Sequence, residues 1–323
     1  MKAALYDRLG SARDVLRVED VDRPEPGPGQ VRVKIALSGV NPTDVKSRGG
    51  ATAGAPTGFQ VPHHDATGRI DAVGPGVDTA RVGQRVWTYL AAFGNRWGTA
   101  AEWSVVPQER AVPLPEDIDD ELGVCLGVPA LTAHHCLFAD GRLNGRAVLV
   151  AGGAGAVGHF AIELAKHAGA RVVSTVSGPE KAELARLAGA DLVVNYHDKD
   201  AVDQVKGFAA TVDRVVEVAL GPNLDLDLAV SGPRTVISTY AAAEDVSLPV
   251  RRLMTANVRL RFVLLYGFPE PDLADAVADV GAAMSAGALS PLPVRRFPLS
   301  EVAAAHEAVE SGAVGKVVVD PTA

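Results

Sequence analysis

The sequence predicts an α/β protein in which a doubly wound parallel sheet is inserted into a smaller, mostly β domain. The pattern of the chain changes twice. Residues 1–123 read as strands and turns, residues 124–291 alternate strand-like with helical segments, and residues 292–323 return to short strands around one helix. A chain of 323 residues has room for two domains of about 150 residues each. We therefore expect a split domain, formed by the first and last parts, and an inserted central domain.

The first part of the chain has the pattern of half-buried strands. Residues 31–37 alternate apolar and polar side chains, and they follow a loop at 23–30 that is rich in proline and glycine. Residues 61–73 and 84–89 are the next predicted strands, with a turn at 74–77 between them. This region therefore predicts an all-β or α+β domain.

The central part has the rhythm of a parallel sheet with helical crossovers. Helical segments at 156–168 and 181–188 are flanked by short apolar runs. The runs predicted as strands are 147–150, 171–176, 192–194, 214–218, 235–237 and 259–265. Six strands joined by helices predict a doubly wound sheet. A strand at 294–298, a helix at 300–311 and a strand at 316–320 follow. We expect the last strand to return to the first domain, so that a ligand would lie between the domains.

Charge and composition disfavour several classes of protein. The formal net charge is −8, which opposes unspecific binding to nucleic acid or anionic membranes. We find no uninterrupted apolar stretch of about 18 residues and expect no signal peptide. Cys125 and Cys136 are too few for a disulfide framework and fit a reducing compartment. We therefore expect a cytoplasmic protein without membrane or nucleic-acid partners.

The strongest motif is a glycine-rich turn between a strand and a helix. The glycines of a G-x-G-x-x-G pattern, Gly153, Gly155 and Gly158, follow the first apolar run of the central part. Ala156 and Val157 lie between them, where the helix begins. Glycine lets the backbone turn tightly and approach a pyrophosphate, and free N–H groups at the helix start attract its charge. The motif predicts a dinucleotide-binding site.

The end of the second central strand favours NADPH over NADH. NAD sites usually carry an acidic residue there, about 20 residues after the glycines, to bind the ribose 2′-hydroxyl. Val176 occupies that place, Ser177 follows it, and Lys181 lies in the first turn of the next helix. A hydroxyl, a helix N-terminus and a lysine suit a 2′-phosphate.

Motifs along nearly the whole chain carry a family resemblance. Besides the glycine-rich turn, they are GVNPTD at 39–44, DATGRIDAVG at 65–74, VGQRV at 82–86, PALTA at 129–133, GAD at 189–191 with NY at 195–196, and GKVV at 315–318. The chain resembles the zinc-independent medium-chain dehydrogenases/reductases, and within them the zeta-crystallin-like NADPH:quinone oxidoreductases. The resemblance implies a Rossmann cofactor domain inserted into a GroES-like catalytic domain, and quinone reduction by direct hydride transfer. It also implies a homodimer, for which the strand at 259–265 is the expected contact.

The resemblance implies roles for individual residues. Ser177, Lys181 and Tyr196 match positions around the adenosine 2′-phosphate. Asn41 and Thr132 match positions near the nicotinamide. There Asn41 would bind the acceptor carbonyl or a nearby water, and Thr132 would orient the carboxamide.

Two further matches complete the implied cofactor site. Phe262, Val263 and Leu264 match a strand end whose backbone lies along the cofactor. Lys316 matches a lysine close to the cofactor. Because the nicotinamide carries the hydride and solvent can protonate a hydroquinone anion, this reaction needs no dedicated acid from the protein.

No metal site is expected. Zinc-dependent relatives bind their catalytic metal through two thiolates and a histidine, and zinc needs three or four ligands. Asn41 and Val128 occupy the places of the thiolates. His64 and Asp65 resemble the remaining His-Glu pair, but one or two ligands do not form a site.

Departures from the family pattern keep other functions open. Lys46 and Thr52 stand where many quinone-reducing relatives carry tyrosine, so aromatic stacking on a quinone would be lost. The alternative is an NADPH-dependent reductase of 2-alkenals, enones or enoyl thioesters. Its enolate product benefits from a proton donor, for which Lys46 and His63 are the candidates. A non-enzymatic crystallin-like or NADPH-sensing protein is the third hypothesis.

Overall fold

A computed structural model describes residues 1–52, 54–242 and 245–323. The strands in chain order are β1 Lys2–Leu5, β2 Arg17–Asp20, β3 Gln30–Val40, β4 Asp65–Val73, β5 Arg85–Thr88, β6 Trp103–Pro107, β7 Ala111–Pro113, β8 Ala147–Ala151, β9 Arg171–Val176, β10 Leu192–Asn195, β11 Val212–Glu217, β12 Ser231–Thr239, β13 Arg259–Phe262, β14 Val294–Pro298 and β15 Lys316–Asp320. The α-helices are α1 Ala12–Val15, α2 Pro42–Gly49, α3 Asp120–Gly123, α4 Leu131–Phe138, α5 Ala156–His167, α6 Pro179–Leu187, α7 Ala201–Phe208, α8 Leu220–Val230, α9 Val250–Ala256, α10 Glu270–Ser285 and α11 Val302–Glu310. Within the described part of the chain, none of the helices combines the length and apolar character that a membrane crossing requires.

The chain forms two compact units. Unit 1 comprises Met1–Val128 with Pro291–Ala323, and unit 2 comprises Pro129–Ser290. Each unit contains its own large sheet, and its elements are described within that unit below.

Unit 2 contains the parallel sheet that the sequence predicts. Its strand order is β10-β9-β8-β11-β12-β13, and all neighbouring pairs are parallel. β8 is apolar throughout, and the central residues of β9 and β11 are buried, because the middle of a parallel sheet is covered on both faces. Leu149 pairs with Val173 on one side and Val215 on the other, and all three are buried in one cluster. The order reverses between β8 and β11, which is where doubly wound folds bind ligands at the carboxyl ends of the strands.

Unit 1 is built on a mixed, largely antiparallel sheet. The strand order is β14-β15-β3-β4-β5-β7, and β6 also pairs with β3. Only β14 and β15 are parallel neighbours along this path. The predicted return of the last strand is confirmed, because Val318 of β15 pairs with Gly39 of β3. This pairing brings the two distant parts of unit 1 together.

Three predicted strands are shorter in the structure: β4 by four residues, β13 by three, and β5 by one residue at each end. β4 begins only at Asp65, since Pro62 has no N–H for a strand ladder and His63 has a φ of +77°. β13 ends at Phe262, where the chain leaves the sheet. The first difference matters for the site, because the segment before β4 turns its histidines into the interior of unit 1.

Candidate functional site

The glycine-rich turn joins β8 to α5 in unit 2. The first hydrogen bond of α5 runs from the His159 N–H to the Gly155 carbonyl at 2.8 Å. The N–H groups of Ala156, Val157 and Gly158 therefore precede the ladder and have no partner inside the helix. Three free donors at the positive end of a helix dipole are suited to an anionic group such as a pyrophosphate.

Close packing explains two of the glycines. A Cβ atom on Gly158 would lie 2.3 Å from the Gly152 carbonyl oxygen, and one on Gly153 would lie 2.1 Å from Ser174 Oγ. Both distances are far below van der Waals contact, so any larger residue would push the helix away from the strand. The turn is a surface of bare backbone, which a dinucleotide pyrophosphate requires.

The predicted 2′-phosphate residues lie together at the ends of β9 and β10. The Tyr196 N–H donates to the Val176 carbonyl at 3.1 Å, which places Tyr196 beside the end of β9. Lys181 on α6 reaches back to this end, where its Nζ donates to Ser177 Oγ at 3.1 Å. Val176 itself is buried and apolar. The edge therefore presents an ammonium and two hydroxyl groups, a donor set that fits a phosphate.

The other predicted cofactor residues of unit 2 differ in exposure. The Val263 N–H donates to the Thr239 carbonyl at 2.8 Å, so this backbone is fixed to the neighbouring strand. The flanking Phe262 and Leu264 are 70% and 66% exposed. Thr132 is buried in the first turn of α4.

A large cavity lies at the carboxyl ends of β11 and β12 in unit 2. Its volume is about 890 Å³, and Phe262 forms part of its wall. Val218 and Thr239 line it from the two strand ends. Its size falls within the roughly 300–1,000 Å³ typical of small-molecule sites. It opens at the same edge of the sheet as the glycine-rich turn.

A buried polar network in unit 1 brings two predicted residues together. Lys316 Nζ donates to Asn41 Oδ1 at 2.7 Å, and Asn41 Nδ2 donates to Asp65 Oδ2 at 2.7 Å. Lys316 and Asp65 also form an ion pair at 3.5 Å. The Val128 N–H donates to the other Asp65 oxygen at 2.9 Å. Because the network supplies a donor to one side of the amide and an acceptor to the other, Asn41 has a single orientation.

Two buried carboxyl groups flank this network. Burial raises the pKa of Asp65, and the Lys316 ammonium opposes that rise. Burial raises the pKa of Asp44 to about 8, although the Asn41 N–H donates to its Oδ2 at 2.7 Å. Asp44 is therefore largely protonated at neutral pH, whereas Asp65 is the carboxyl group that lies within ion-pair distance of Lys316.

His63 is enclosed within a hydrogen-bonded chain in unit 1. Its Nδ1 lies 2.8 Å from Ser38 Oγ, and its Nε2 lies 2.9 Å from the Nε2 of His306. Burial lowers the pKa of His63 well below its usual range and that of His306 to about 3. Both rings are therefore neutral, with one donating to the other. This geometry favours a packing role for His63, whose role as a proton donor stays a prediction. Lys46, the other candidate donor, is half-buried on α2.

Sequence reasoning missed the two partners that complete these clusters. Asp44 had a local signal, because Asn41 and Asp44 have the N-cap to N3 spacing of a capping box. His306 had none, since it is 243 residues from His63 in the chain. Among the described residues, no group of three or more His, Cys, Asp or Glu side chains is arranged to hold a metal ion.

Comparison with known proteins gives matches that run across both units. The family model described as the alcohol dehydrogenase GroES-like domain matches residues 27–116, and the one described as a zinc-binding dehydrogenase matches residues 156–280. A quinone oxidoreductase of Lama guanicoe is 30% identical and covers 98% of this chain and 97% of its own length. A 2-haloacrylate reductase of Burkholderia sp is 30% identical, with 94% of this chain and 95% of that protein covered. A mycobacterial protein solved in complex with NADPH superimposes with a TM-score of 0.87 at 30% identity, covering 99% of this chain and 100% of that one.

Proposed function

Because this chain belongs to the quinone oxidoreductases of the medium-chain dehydrogenase/reductase family, we propose that it reduces quinones with NADPH and without zinc. When bound, NADPH supplies the hydride, and the chain supplies binding and orientation. The observation that carries the choice of cofactor is the Lys181–Ser177 pair at the end of β9. It occupies the edge where an NAD site would offer a carboxylate.

Unit 2 holds the cofactor in this proposal. The N–H groups of Ala156, Val157 and Gly158 receive the pyrophosphate at the start of α5. Lys181 and Ser177 receive the 2′-phosphate with a charge-assisted hydrogen bond from the ammonium. Tyr196 lies beside them, and Phe262 to Leu264 provide backbone and apolar surface further along the cofactor.

In unit 1, Asn41 is the residue proposed to act on the acceptor; in unit 2, Thr132 is the residue proposed to orient the nicotinamide carboxamide. An amide has two N–H donors, of which Asp65 accepts one from Asn41. The second N–H is what Asn41 offers to the acceptor carbonyl or to a water. Lys316 and Asp65 are positioning residues in this proposal, because they hold the Asn41 amide in one orientation.

A second candidate is reduction of an activated carbon–carbon double bond. The 2-haloacrylate reductase at 30% identity favours it, because haloacrylates accept hydride at carbon rather than at a quinone ring. The carbanionic product is more basic than a hydroquinone anion, so this reaction gains more from a positioned acid. Lys46, half-buried on α2, is the remaining candidate for that acid, since His63 is neutral inside unit 1.

The experiment that tests the proposal is NADPH oxidation in the presence of a chelator. The acceptors are a para-quinone, an ortho-quinone, a 2-alkenal, 2-chloroacrylate and an enoyl thioester, each repeated with NADH. We expect turnover of quinones with NADPH and little with NADH, unchanged by the chelator. Turnover of only the alkenal, the acrylate or the thioester would replace the first function by the second. Loss of activity with the chelator would contradict the zinc-free mechanism.

A substitution at Lys181 tests the preference for NADPH over NADH separately. Lys181→Ala removes the ammonium at the end of β9, and loss of a charge-assisted hydrogen bond weakens NADPH about 10- to 100-fold. NADH, which has no 2′-phosphate, is expected to bind almost as before. Lys206→Ala, an exposed lysine on α7, is the matched control. Fluorescence titration of both nucleotides measures the effect, and equal losses for NADPH and NADH would refute the 2′-phosphate assignment.

We further propose a cytoplasmic homodimer that forms through β13. β13 is the outer strand of the unit 2 sheet, so one of its edges offers unpaired N–H and C=O groups. Light scattering should then give twice the chain mass of 33.5 kDa. A monomer at micromolar concentration would contradict the proposed contact.

A further inference from the structure

A second cavity in unit 2, lined mainly by polar groups, lies at the amino ends of the sheet strands, whereas the glycine-rich turn lies at their carboxyl ends. Its volume is about 190 Å³, and it is bounded by the loop before β8 and by the amino ends of β11, β12 and β13. The arginines that line it are Arg142, Arg146, Arg214, Arg234 and Arg259. A strand of five or six residues spans roughly 15–20 Å. A small ligand therefore cannot occupy this cavity and the cofactor edge at once.

The cavity has a marked excess of positive charge. Among the described residues that line it, Asp140 and Asp213 are acidic and five are arginines, which leaves a local charge of +3. The chain as a whole has a formal charge of −8. The Asp213 carboxylate is already engaged with Arg146 at 2.8 Å. The excess therefore comes from the other four lining arginines, which face a single carboxylate, Asp140.

One carboxylate is shared among several guanidinium groups. Asp140 lies 3.1 Å from Arg259, and 3.6 Å from both Arg214 and Arg261. Only the first of these distances is a hydrogen bond. A single negative charge thus faces three positive ones, and the donors of the two more distant arginines are not satisfied by it.

Arg214 shows this deficit most clearly. Its side chain is 6% exposed, and in the part of the chain that the structure describes its buried Nε has no hydrogen-bond partner. Burial lowers the pKa of Arg214, and the neighbouring Arg259 and Arg261 charges lower it further. A guanidinium stays charged in proteins. A buried cation that shares its carboxylate partner with two other arginines is stabilised by an anion that enters the cavity.

Two more arginines stand exposed around the same cavity. Among the described residues, the Arg142 and Arg234 side chains make no ion pair, so both are free to turn toward a ligand. Arg234 has a φ of +76°, a conformation that costs energy for a side chain other than glycine. Such strain persists where the surrounding structure requires that position.

We propose that this cavity binds a compact phosphorylated anion, either inorganic phosphate or pyrophosphate or the phosphoryl group of a small metabolite. Guanidinium groups pair with phosphate oxygens through two parallel hydrogen bonds, and the local charge matches a multiply charged anion. The volume, about 190 Å³, corresponds to roughly six water molecules and is too small for a nucleotide cofactor. The site is separate from the proposed reaction and does not depend on it.

Calorimetric titration of the full chain saturated with NADPH tests this site. Saturation occupies the other phosphate-binding edge of unit 2, so that heat from added phosphate reports the arginine cavity. The probes are inorganic phosphate, pyrophosphate and glucose 6-phosphate. Tighter binding of the sugar phosphate than of phosphate would identify a phosphorylated metabolite, and the reverse would identify a free inorganic anion.

A double variant locates the binding. Arg142→Gln with Arg234→Gly removes two exposed charges, and glycine suits the positive φ at 234. We expect at least a tenfold loss of affinity for the best probe, with NADPH binding unchanged. Arg251→Gln, an exposed arginine on α9, is the control and should bind as the wild type does.

Three results would overturn the proposal. They are an absence of binding by every probe at millimolar concentration, equal binding by the double variant and the wild type, and a change in oligomeric mass of the double variant with no change in phosphate binding. The last result would identify the arginines as a contact between protein chains.

Discussion

Replacing Lys316 by methionine tests whether the unit 1 network is an ion pair with a positioning function. Lys316→Met keeps most of the side-chain volume and removes the ammonium. Asp65 then loses its counter-charge, and Asn41 Oδ1 loses its donor. Both residues are nearly inaccessible to water, which cannot replace the missing partner. The loss is therefore expected to appear in full as instability of unit 1.

The expected magnitude follows from the ion-pair distance. Two unit charges 3.5 Å apart attract by about 5 kcal/mol at an effective dielectric constant of about 20. Removing one partner of a buried pair typically costs about 3–5 kcal/mol. We therefore expect the free energy of unfolding of unit 1 to fall by about 3–5 kcal/mol at pH 8.

Tryptophan fluorescence during urea unfolding measures this loss in the relevant unit. The chain has three tryptophans, Trp87, Trp97 and Trp103, and all belong to unit 1. A change in the urea midpoint at constant slope then reports a change in stability. Lys2→Met, which removes an exposed lysine of the same unit, is the control and should shift the midpoint little.

The stability loss caused by Lys316→Met is expected to depend on pH, and the pKa of Asp65 determines in which direction. Burial raises the folded-state pKa of Asp65, and loss of Lys316 removes the charge that opposes this rise. A carboxyl with a raised folded pKa contributes stability below its unfolded pKa, about 3.9, and loses it as pH rises through the folded value. The difference between wild type and Lys316→Met should therefore be larger at pH 8 than at pH 5.

A double variant completes the test. In Lys316→Met with Asp65→Asn, the amide of Asn41 can turn over and accept from the new amide, so no charge is left buried. We expect this double variant to be more stable than the sum of the two single losses predicts, by about 3–5 kcal/mol. Additive losses, or an equal deficit at pH 5 and pH 8, would refute the description of these residues as a coupled pair.

Two other predictions concern single residues. Gly158→Ala should abolish NADPH binding in a fluorescence titration, because the new Cβ would lie 2.3 Å from the Gly152 carbonyl oxygen. The control is Gly281→Ala on α10, where a Cβ has no atom within 4 Å and the change should be neutral or stabilising. Retained binding by Gly158→Ala would contradict the packing argument. Because burial raises the pKa of Asp44 to about 8, the stability of unit 1 should fall by about 1 kcal/mol per pH unit from pH 7 to pH 8. The histidines of unit 1 are neutral in the folded state, and their unfolded-state pKa of about 6.5 leaves them mostly neutral over this range. Asp44→Asn should therefore flatten the slope in urea titrations, and an unchanged slope would assign it to another group.

The parts of the molecule that the sequence predicted well have local signals. β8 is an apolar run and β9 is rich in valine, as expected for parallel strands that are buried on both faces. The glycine-rich turn is contiguous, and the steric reason for Gly158 lies six residues away, at the Gly152 carbonyl oxygen. Lys181 and Ser177 are four residues apart, one helical turn, so their hydrogen bond was within reach of sequence reasoning.

The unit 1 network could not be derived in the same way. Lys316 is 275 residues from Asn41 and 251 residues from Asp65 in the chain. Their meeting depends on the pairing of β15 with β3, which a strand pattern indicates only as a return to the domain and not in register. The surroundings of His63 were not predictable for a related reason, because its partner His306 comes from the distant helix α11. A backbone break before β4, and not hydropathy, decides where that ring points.

The net charge of the whole chain gave no indication of the arginine cavity. A formal charge of −8 argues correctly against unspecific binding of polyanions over the whole surface. A net charge carries no information about a local site, where the amino ends of several parallel strands bring together side chains from distant segments of the chain. Arg142, Arg214, Arg234 and Arg259 are each unremarkable in the sequence, and only the sheet order places them around one cavity.

The Lys316–Asn41–Asp65 network of unit 1 also explains why a zinc-free reaction is consistent with this chain. Unit 1 already contains a fixed positive charge, the Lys316 ammonium, and Asp65 is the carboxylate that neutralises it. A divalent cation bound by Asp65 would lie within a few ångströms of that ammonium, and like charges at such distances in a buried site repel by several kcal/mol. The amide of Asn41, which stands where a thiolate ligand would be, is bound on its oxygen by Lys316 and on its nitrogen by Asp65. The positive charge near Asn41 is therefore supplied by a lysine, and the insensitivity to chelator expected in the acceptor assay follows from that substitution.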